Sequence, residues 1–368
     1  MRIVYVVGTR PNFVKMAPVI AALRARLPDG RHAIVHTGQH YDRLMSEVFL
    51  DELGVPAPDH MLGVGSGTHG EQTAGVIERL EPVLADERPD LVLVPGDVNS
   101  TLAAALAAAK LGIRLGHVES GLRSFDRSMP EEINRVVADQ LSALLFIHSE
   151  DAAENLRREG IADERVHFVG NTMIDTLVSL EGRFRAADAA GRLGFAEGDY
   201  LLVTLHRPAL VDGPLLEVAM EHLSAVGREL PVVFPVHPRT RKMLGADYPG
   251  VALTDPVGYL DFLSLEASAR AVLTDSGGIQ EETTYLGIPC FTLRANTERP
   301  VTVRAGTNTV LGLDPGRIAE IPALLQVGAG ADGDPPPLWD GHAAERVADV
   351  VCQDVARDPG AGRGSRAR

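Results

Sequence analysis

The sequence predicts an α/β protein made of two doubly wound parallel sheets. Short β-branched runs alternate with longer amphipathic stretches, the pattern of parallel strands joined by crossover helices. The alternation is repeated in the second half, with no sequence repeat linking the halves. At 368 residues, 45% hydrophobic and 23% charged, the chain is long enough for two cores and too apolar to be disordered.

In the first half, residues 3–7, 33–37, 91–95, 115–118 and 144–147 read as buried strands, with helices at 18–26, 41–53, 70–85 and 100–110 between them. An N-terminal domain over 1–170 follows, and the turn at 170–175 with its succeeding helix reads as the hinge. The second domain, 171–341, carries strands at 200–204, 232–235, 251–253, 271–274 and 290–293. Residues 328–337 read as a flexible loop, 342–357 as a final helix and 358–368 as a frayed end. Right-handed crossovers place ligands beyond the carboxyl ends of the strands, here in a cleft between the domains, so the residues just after each strand are the candidates.

The charge of −15, from 35 basic and 50 acidic residues, argues against a nucleic-acid partner, since no basic excess can displace counterions. Cys290 and Cys352 cannot build a disulfide framework, which points to the cytoplasm. The N-terminus lacks a signal-peptide core, and the uncharged run 98–109 is too short to span a bilayer, so no membrane partner is expected.

After the first strand come Gly8-Thr9-Arg10-Pro11 and then Lys15, a tight turn with two cations at a helix start, suited to an anion. This is neither a dinucleotide fingerprint nor a P-loop, so no cofactor is expected. Asp97, Glu119 and Glu131 fall at successive strand or helix ends. Each alone reads as a cap or a dipole-favouring acid, but grouped carboxylates suit general acid/base work. His206-Arg207 and His237 follow two strands of the second half. No His, Asp or Glu spacing fits a known metal site, and no metal is expected. The strongest local signal is Asp275-Ser276-Gly277-Gly278 leading into a helix that carries Glu282. Glycines admit a pyrophosphate, helix amides bind it, and an acid accepts from ribose hydroxyls. Arg299 adds a loop cation.

The ordered set of these motifs resembles the non-hydrolysing UDP-N-acetylglucosamine 2-epimerases. It also includes His36-Thr37-Gly38-Gln39-His40, His117-Val118-Glu119, Pro130-Glu131-Glu132-Ile133-Asn134-Arg135, Gly170-Asn171, Thr204-Leu205-His206-Arg207 and Glu298-Arg299-Pro300. The resemblance implies a GT-B fold of two Rossmann-like domains, with the helix at 342–357 crossing back onto the first, and a homodimer that closes on UDP. It implies Asp97, Glu119, Glu131 and His206 as the catalytic group. It assigns UDP binding to Arg10, Lys15, Phe262, Ser276, Gly278, Glu282 and Arg299, to which Gly277 and His237 are added here as neighbours of the same motifs. The implied reaction is C2 epimerisation of UDP-GlcNAc to UDP-ManNAc, by elimination of UDP to a 2-acetamidoglucal and its re-addition. Alternatives are a 2-epimerase of a modified sugar, such as UDP-2,3-diacetamido-glucuronic acid, and a GT-B glycosyltransferase using a UDP-sugar. The chain departs from many relatives at Pro208-Ala209-Leu210 and has a short loop between Glu119 and Glu131. Gln39-His40-Tyr41-Asp42 and Thr68-His69-Gly70-Glu71-Gln72 differ from the motifs of members activated by a second substrate molecule, which argues against that activation here.

Overall fold

The computed structural model describes residues 1–38, 49–245, 247–330 and 333–357. The chain divides into two units, one made of Met1–Val178 and the chain from Pro337, the other of Ser179–Pro336.

In the first unit seven parallel strands are described: β1 (Arg2–Val7), β2 (Arg31–His36), β3 (His60–Met61), β4 (Leu91–Pro95), β5 (Arg114–Val118), β6 (Leu144–Ile147) and β7 (Val166–Phe168). Their order is β3-β2-β1-β4-β5-β6-β7, so the sheet reverses direction of build between β1 and β4. The apolar run Leu91-Val92-Leu93-Val94-Pro95 is buried throughout, as a strand covered on both faces must be. The alanines of the helix Asn99–Lys110 let it sit close to the helix His69–Glu87 and to the sheet, in one core with Val76, Leu80 and Leu84. On the other face the helix Arg10–Arg26 packs against the helix Ala343–Arg357.

That last helix is fastened at its start. Asp175 accepts from the backbone N–H of Ala343 at 3.1 Å and Ala344 at 2.6 Å, satisfying two donors that a helix start leaves unpaired. Trp339, 3% exposed, donates from Nε1 to the His148 carbonyl at 2.8 Å, and Arg114 pairs with Asp354 at 2.6 Å. Gly170, at φ +90°, has no room for a Cβ beside Leu338, so the returning chain requires glycine there.

In the second unit β8 (Leu201–Thr204), β9 (Val232–Pro235), β10 (Val251–Thr254), β11 (Ala271–Thr274), β12 (Cys290–Thr292) and β13 (Asn308–Val310) run parallel in the order β10-β9-β8-β11-β12-β13. Leu201, Val203 and Leu205 enter one core and Tyr200 and Leu202 another, which is the two-residue alternation of a strand buried on both sides. The reversal here lies between β8 and β11. The order repeats that of the first six strands of the first unit, giving two doubly wound sheets.

Three strands are additions to the sequence reading: β3, β7 and β13, each two or three residues long and each at a sheet edge. The first helix starts at Arg10 rather than at residue 18. Thr9 and Asn12 cap it, and Pro11 lies in the first turn, where the missing N–H costs no bond. Residues 39–48 and 358–368 lie outside the described residues, and with them Gln39-His40-Tyr41-Asp42, most of the expected helix at 41–53 and the frayed end. Among the described residues, no helix is long and apolar enough to cross a membrane.

Candidate functional site

Both sheet reversals lie where the singled-out residues cluster, at the carboxyl ends of β1, β4 and β5 in one unit and of β8 and β11 in the other. Crossovers leave β1 and β4 on opposite faces, so their C-terminal turns part and leave room for a ligand.

In the first unit, Glu119 follows β5 directly and forms an ion pair with Lys15, both side chains at or below 10% exposure. Glu119 has φ +66°, a left-handed conformation that is costly for a residue with a Cβ and that collects at functional sites. Gly96, at φ +61°, lies over this pair, where an added Cβ would stand 3.2 Å from both Glu119 Oε2 and Lys15 Nζ. Asp97 pairs with Arg135, which also donates to Glu132 at 2.8 Å. Glu132 is not free for chemistry, since it accepts from the Ser124 N–H and hydroxyl and the Phe125 N–H at 2.8–3.1 Å. Glu131 sits half-buried in the first turn of the helix Pro130–Leu141, and no hydrogen bond or ion pair engages it among the described residues.

Beneath these acids lies a buried scaffold. His117 Nε2 donates to the Gly96 carbonyl at 2.7 Å, and Nδ1 lies 2.6 Å from Asp139 Oδ1. The other Asp139 oxygen accepts the Gly121 N–H at 3.1 Å and faces Arg123 at 2.7 Å. Burial pushes the Asp139 carboxyl up, but His117 and Arg123 outweigh it and hold it below the usual carboxylate range. One carboxylate thus ties together the turns that carry Asp97 and Glu119. Asn134 donates to the Asp97 carbonyl at 2.8 Å and to Asn99 at 3.2 Å, and Asn99 donates in turn to Gln72 at 2.7 Å. The Thr68–Gln72 segment is therefore joined to the Asp97 turn. Arg10 is exposed, with its guanidinium 5.8 Å from the centre of the Phe49 ring.

In the second unit, Asp275 directly follows β11 and is 1% exposed. One of its oxygens accepts from the backbone N–H of His206 at 2.8 Å and Arg207 at 2.7 Å, and the other lies 2.9 Å from His206 Nδ1. The His206 side chain is 57% exposed. Ser276, Gly277 and Gly278 follow, opening the helix Gly277–Leu286. A Cβ at Gly277 would run into the Arg299 guanidinium, so this glycine lets Arg299 close over the helix start. Arg299 is pinned there by Glu298 at 2.6 Å and Glu281 at 3.1 Å, and Arg294 joins Glu298 at 2.6 Å.

One turn into the helix, Glu282 is 3% exposed and accepts from the Tyr259 hydroxyl at 2.8 Å. Burial pushes its carboxyl up to about 7, against the Tyr259 hydrogen bond and with help from Glu281. Glu266, fully buried, is raised well above the usual range by burial and by the nearby Glu282. Phe262 packs half-buried against the core that contains Leu202, and His237 is exposed after β9, next to β8.

The structure thus joins Lys15 to Glu119, Asp97 to Arg135, and His206 to Asp275. It links Glu131 to none of these by a hydrogen bond. Sequence reasoning missed the roles of Asp275, Arg135, His117 and Asp139. Asp275, Arg135 and His117 stood inside quoted motifs, and Arg135 follows Glu131 by four residues, one helical turn.

The family model described as UDP-N-acetylglucosamine 2-epimerase matches residues 23–352. A relative named UDP-N-acetylglucosamine 2-epimerase, from Methanococcus maripaludis, is 40% identical over 362 residues, covering 94% of this chain and 97% of its own. The UDP-2,3-diacetamido-2,3-dideoxy-D-glucuronate 2-epimerase of Pseudomonas aeruginosa is 40% identical over 361 residues, covering 96% and 100%. Among solved structures, the UDP-GlcNAc 2-epimerase of Methanocaldococcus jannaschii, crystallised with UDP-GlcNAc and UDP, superposes with a TM-score of 0.86 at 39% identity, over 96% of this chain and 100% of that one.

Proposed function

Because this chain belongs to the UDP-N-acetylglucosamine 2-epimerase family, we propose that it interconverts UDP-GlcNAc and UDP-ManNAc at C2 of the sugar. The observation that carries the reading is the acid group of the first unit: Asp97 beside Arg135 after β4, Glu119 beside Lys15 in a left-handed conformation after β5, and Glu131 at a helix start with no hydrogen-bond partner among the described residues.

The C2 proton is not adjacent to a carbonyl, so direct removal and return would face a prohibitive barrier. Elimination avoids it. A carboxylate takes the C2 proton, the C–H electron pair becomes the C1=C2 bond, and the C1–O bond breaks with its pair leaving on UDP. The products, UDP and 2-acetamidoglucal, stay bound. Return re-forms the C1–O bond on the face that UDP left, while a carboxylic acid delivers a proton to the opposite face of C2. Asp97, Glu119 and Glu131 move the proton, since two opposite-face transfers need more than one carboxyl. His206, with Arg10 and Arg299, stabilises the charge that builds on the departing phosphate. Ser276, Gly277 and Gly278 offer backbone amides to the pyrophosphate, Glu282 accepts from the ribose, and Lys15, Phe262 and His237 complete the binding group.

The Pseudomonas relative, as similar as the archaeal one, supports a second reading in which the substrate is UDP-2,3-diacetamido-glucuronic acid. We further propose a homodimer, by resemblance to the family, and a cytoplasmic location, in keeping with the free thiols Cys290 and Cys352.

Proton NMR with UDP-GlcNAc alone in deuterated water tests the reaction. UDP-ManNAc signals with deuterium at C2 are expected, and they exclude an acceptor-dependent transferase. No change with UDP-GlcNAc, together with turnover of the diacetamido-uronic acid, would shift the assignment to the second substrate. No change with either would overturn the reading.

A further inference from the structure

We propose that Asp275 is the positioning residue of His206, fixing its ring so that Nε2 is the nitrogen presented to the phosphate that leaves. The proposal rests on the reading of His206 given above. Asp275 is almost wholly buried, and among the described residues its oxygens meet the turn after β8. One oxygen takes two backbone N–H groups, which freezes the turn at His206 and Arg207. The other lies 2.9 Å from Nδ1 of the His206 ring.

A carboxylate can only accept hydrogen bonds, so the facing ring nitrogen must carry a proton. Asp275 is ionised for a physical reason. Burial raises its carboxyl, yet the His206 ring and the backbone N–H groups of Arg207 and His206 outweigh that and hold it below the ordinary carboxylate range. Hence the nitrogen that carries the proton is Nδ1, the one 2.9 Å from the Asp275 carboxylate, and the neutral ring has its lone pair on Nε2. With the side chain 57% exposed, that end of the ring is open to a ligand. When Nε2 is also protonated, the imidazolium charge is balanced by Asp275, and Nε2–H can donate to the phosphate oxygen that gains charge as the C1–O bond breaks. A freely rotating ring would spend part of its time with the wrong nitrogen outward. A positioned one pays no such reorganisation at the moment of reaction.

Asp275 also keeps the turn in shape, so the test must separate that from its action through His206. A double-mutant cycle does so. Asp275→Asn and His206→Gln are each expected to lower kcat by about 10²–10⁴-fold, with UDP Kd within about threefold. The double variant is expected to be no slower than the slower single one. If Asp275→Asn costs the same factor in the His206→Gln background as in the native enzyme, Asp275 acts only on the turn and the proposal is overturned. A second measurement reads the native protein and does not depend on any variant turning over. Long-range proton–nitrogen NMR with labelled histidine should show one ring, identified by its loss in His206→Gln, as the Nδ1–H tautomer among the 12 histidines. An Nε2–H tautomer overturns the proposal. This tautomer reading holds whether or not UDP-GlcNAc is turned over, so it separates failure of the positioning role from failure of the proposed reaction.

Discussion

Replacing Asp175 by Asn should change the stability of the first unit with a definite pH signature. Asp175 is 6% exposed and accepts the two backbone N–H groups at the start of the helix Ala343–Arg357. Burial pushes its carboxyl from 3.8 up to about 6, and the pull of the two N–H groups only partly offsets this. A carboxyl raised in the folded state binds its proton more tightly there than in the unfolded chain. The associated stability is therefore full below about pH 4 and is lost as pH rises through about 6. The gap between 3.8 and about 6 corresponds to about 3 kcal/mol. Asn cannot ionise, so relative to the native protein the variant should gain about 3 kcal/mol between about pH 4 and pH 8. At low pH it should be the less stable by about 1 kcal/mol, because its amide offers one acceptor to two donors. The readout lies in the same unit. Trp339, the only tryptophan of the chain, is buried just ahead of the helix, so urea unfolding followed by its fluorescence reports this unit. A stability difference that stays constant to about 1 kcal/mol over that range would refute the reasoning.

Asp97→Asn and Glu131→Gln should each reduce turnover by about 10²–10⁴-fold while UDP affinity by calorimetry stays within about threefold, and near-native turnover in either would remove that residue from the proton-transfer group. Gly96→Ala places a Cβ 3.2 Å from Glu119 and Lys15 at a positive φ, so turnover should fall at least about tenfold with a stability loss of about 1–3 kcal/mol; unchanged kinetics would mean the pair need not hold this geometry. Arg299→Ala leaves Glu281 and Glu298 buried without their shared guanidinium, which should cost about 3–5 kcal/mol and weaken UDP binding; an unchanged melting temperature would contradict it. Glu282 titrates near 7 and accepts better when ionised, so UDP affinity should rise as pH climbs through about 7 and should not in Glu282→Gln.

The long buried strands were legible because their side chains obey one rule over four or more residues. β4, with every position apolar, could be little else. β3, β7 and β13 were not legible, because two or three residues show no period and their pairing is decided by a neighbouring strand. The same division runs through the site. Ser276-Gly277-Gly278 announces itself, since its chemistry is local backbone freedom. Lys15 and Glu119 stand 104 positions apart, so the sequence presents a cation and an acid but not their pairing. Asp275 reads as one letter of a motif until β8 is placed beside β11, and only then does its hold on His206 emerge.

The helix Ala343–Arg357 belongs to the same unit as Met1, and that has a bearing on how the protein comes off the ribosome. Synthesis runs from the N-terminus, so all seven strands of the first sheet emerge before the second unit is begun. The apolar face of the helix Arg10–Arg26 that the last helix covers must wait, uncovered, through the translation of the whole second unit. A nascent chain stalled anywhere in that interval would carry an exposed sticky surface, and a product shortened by only its final helix would be an unfinished first domain rather than a complete enzyme lacking a tail.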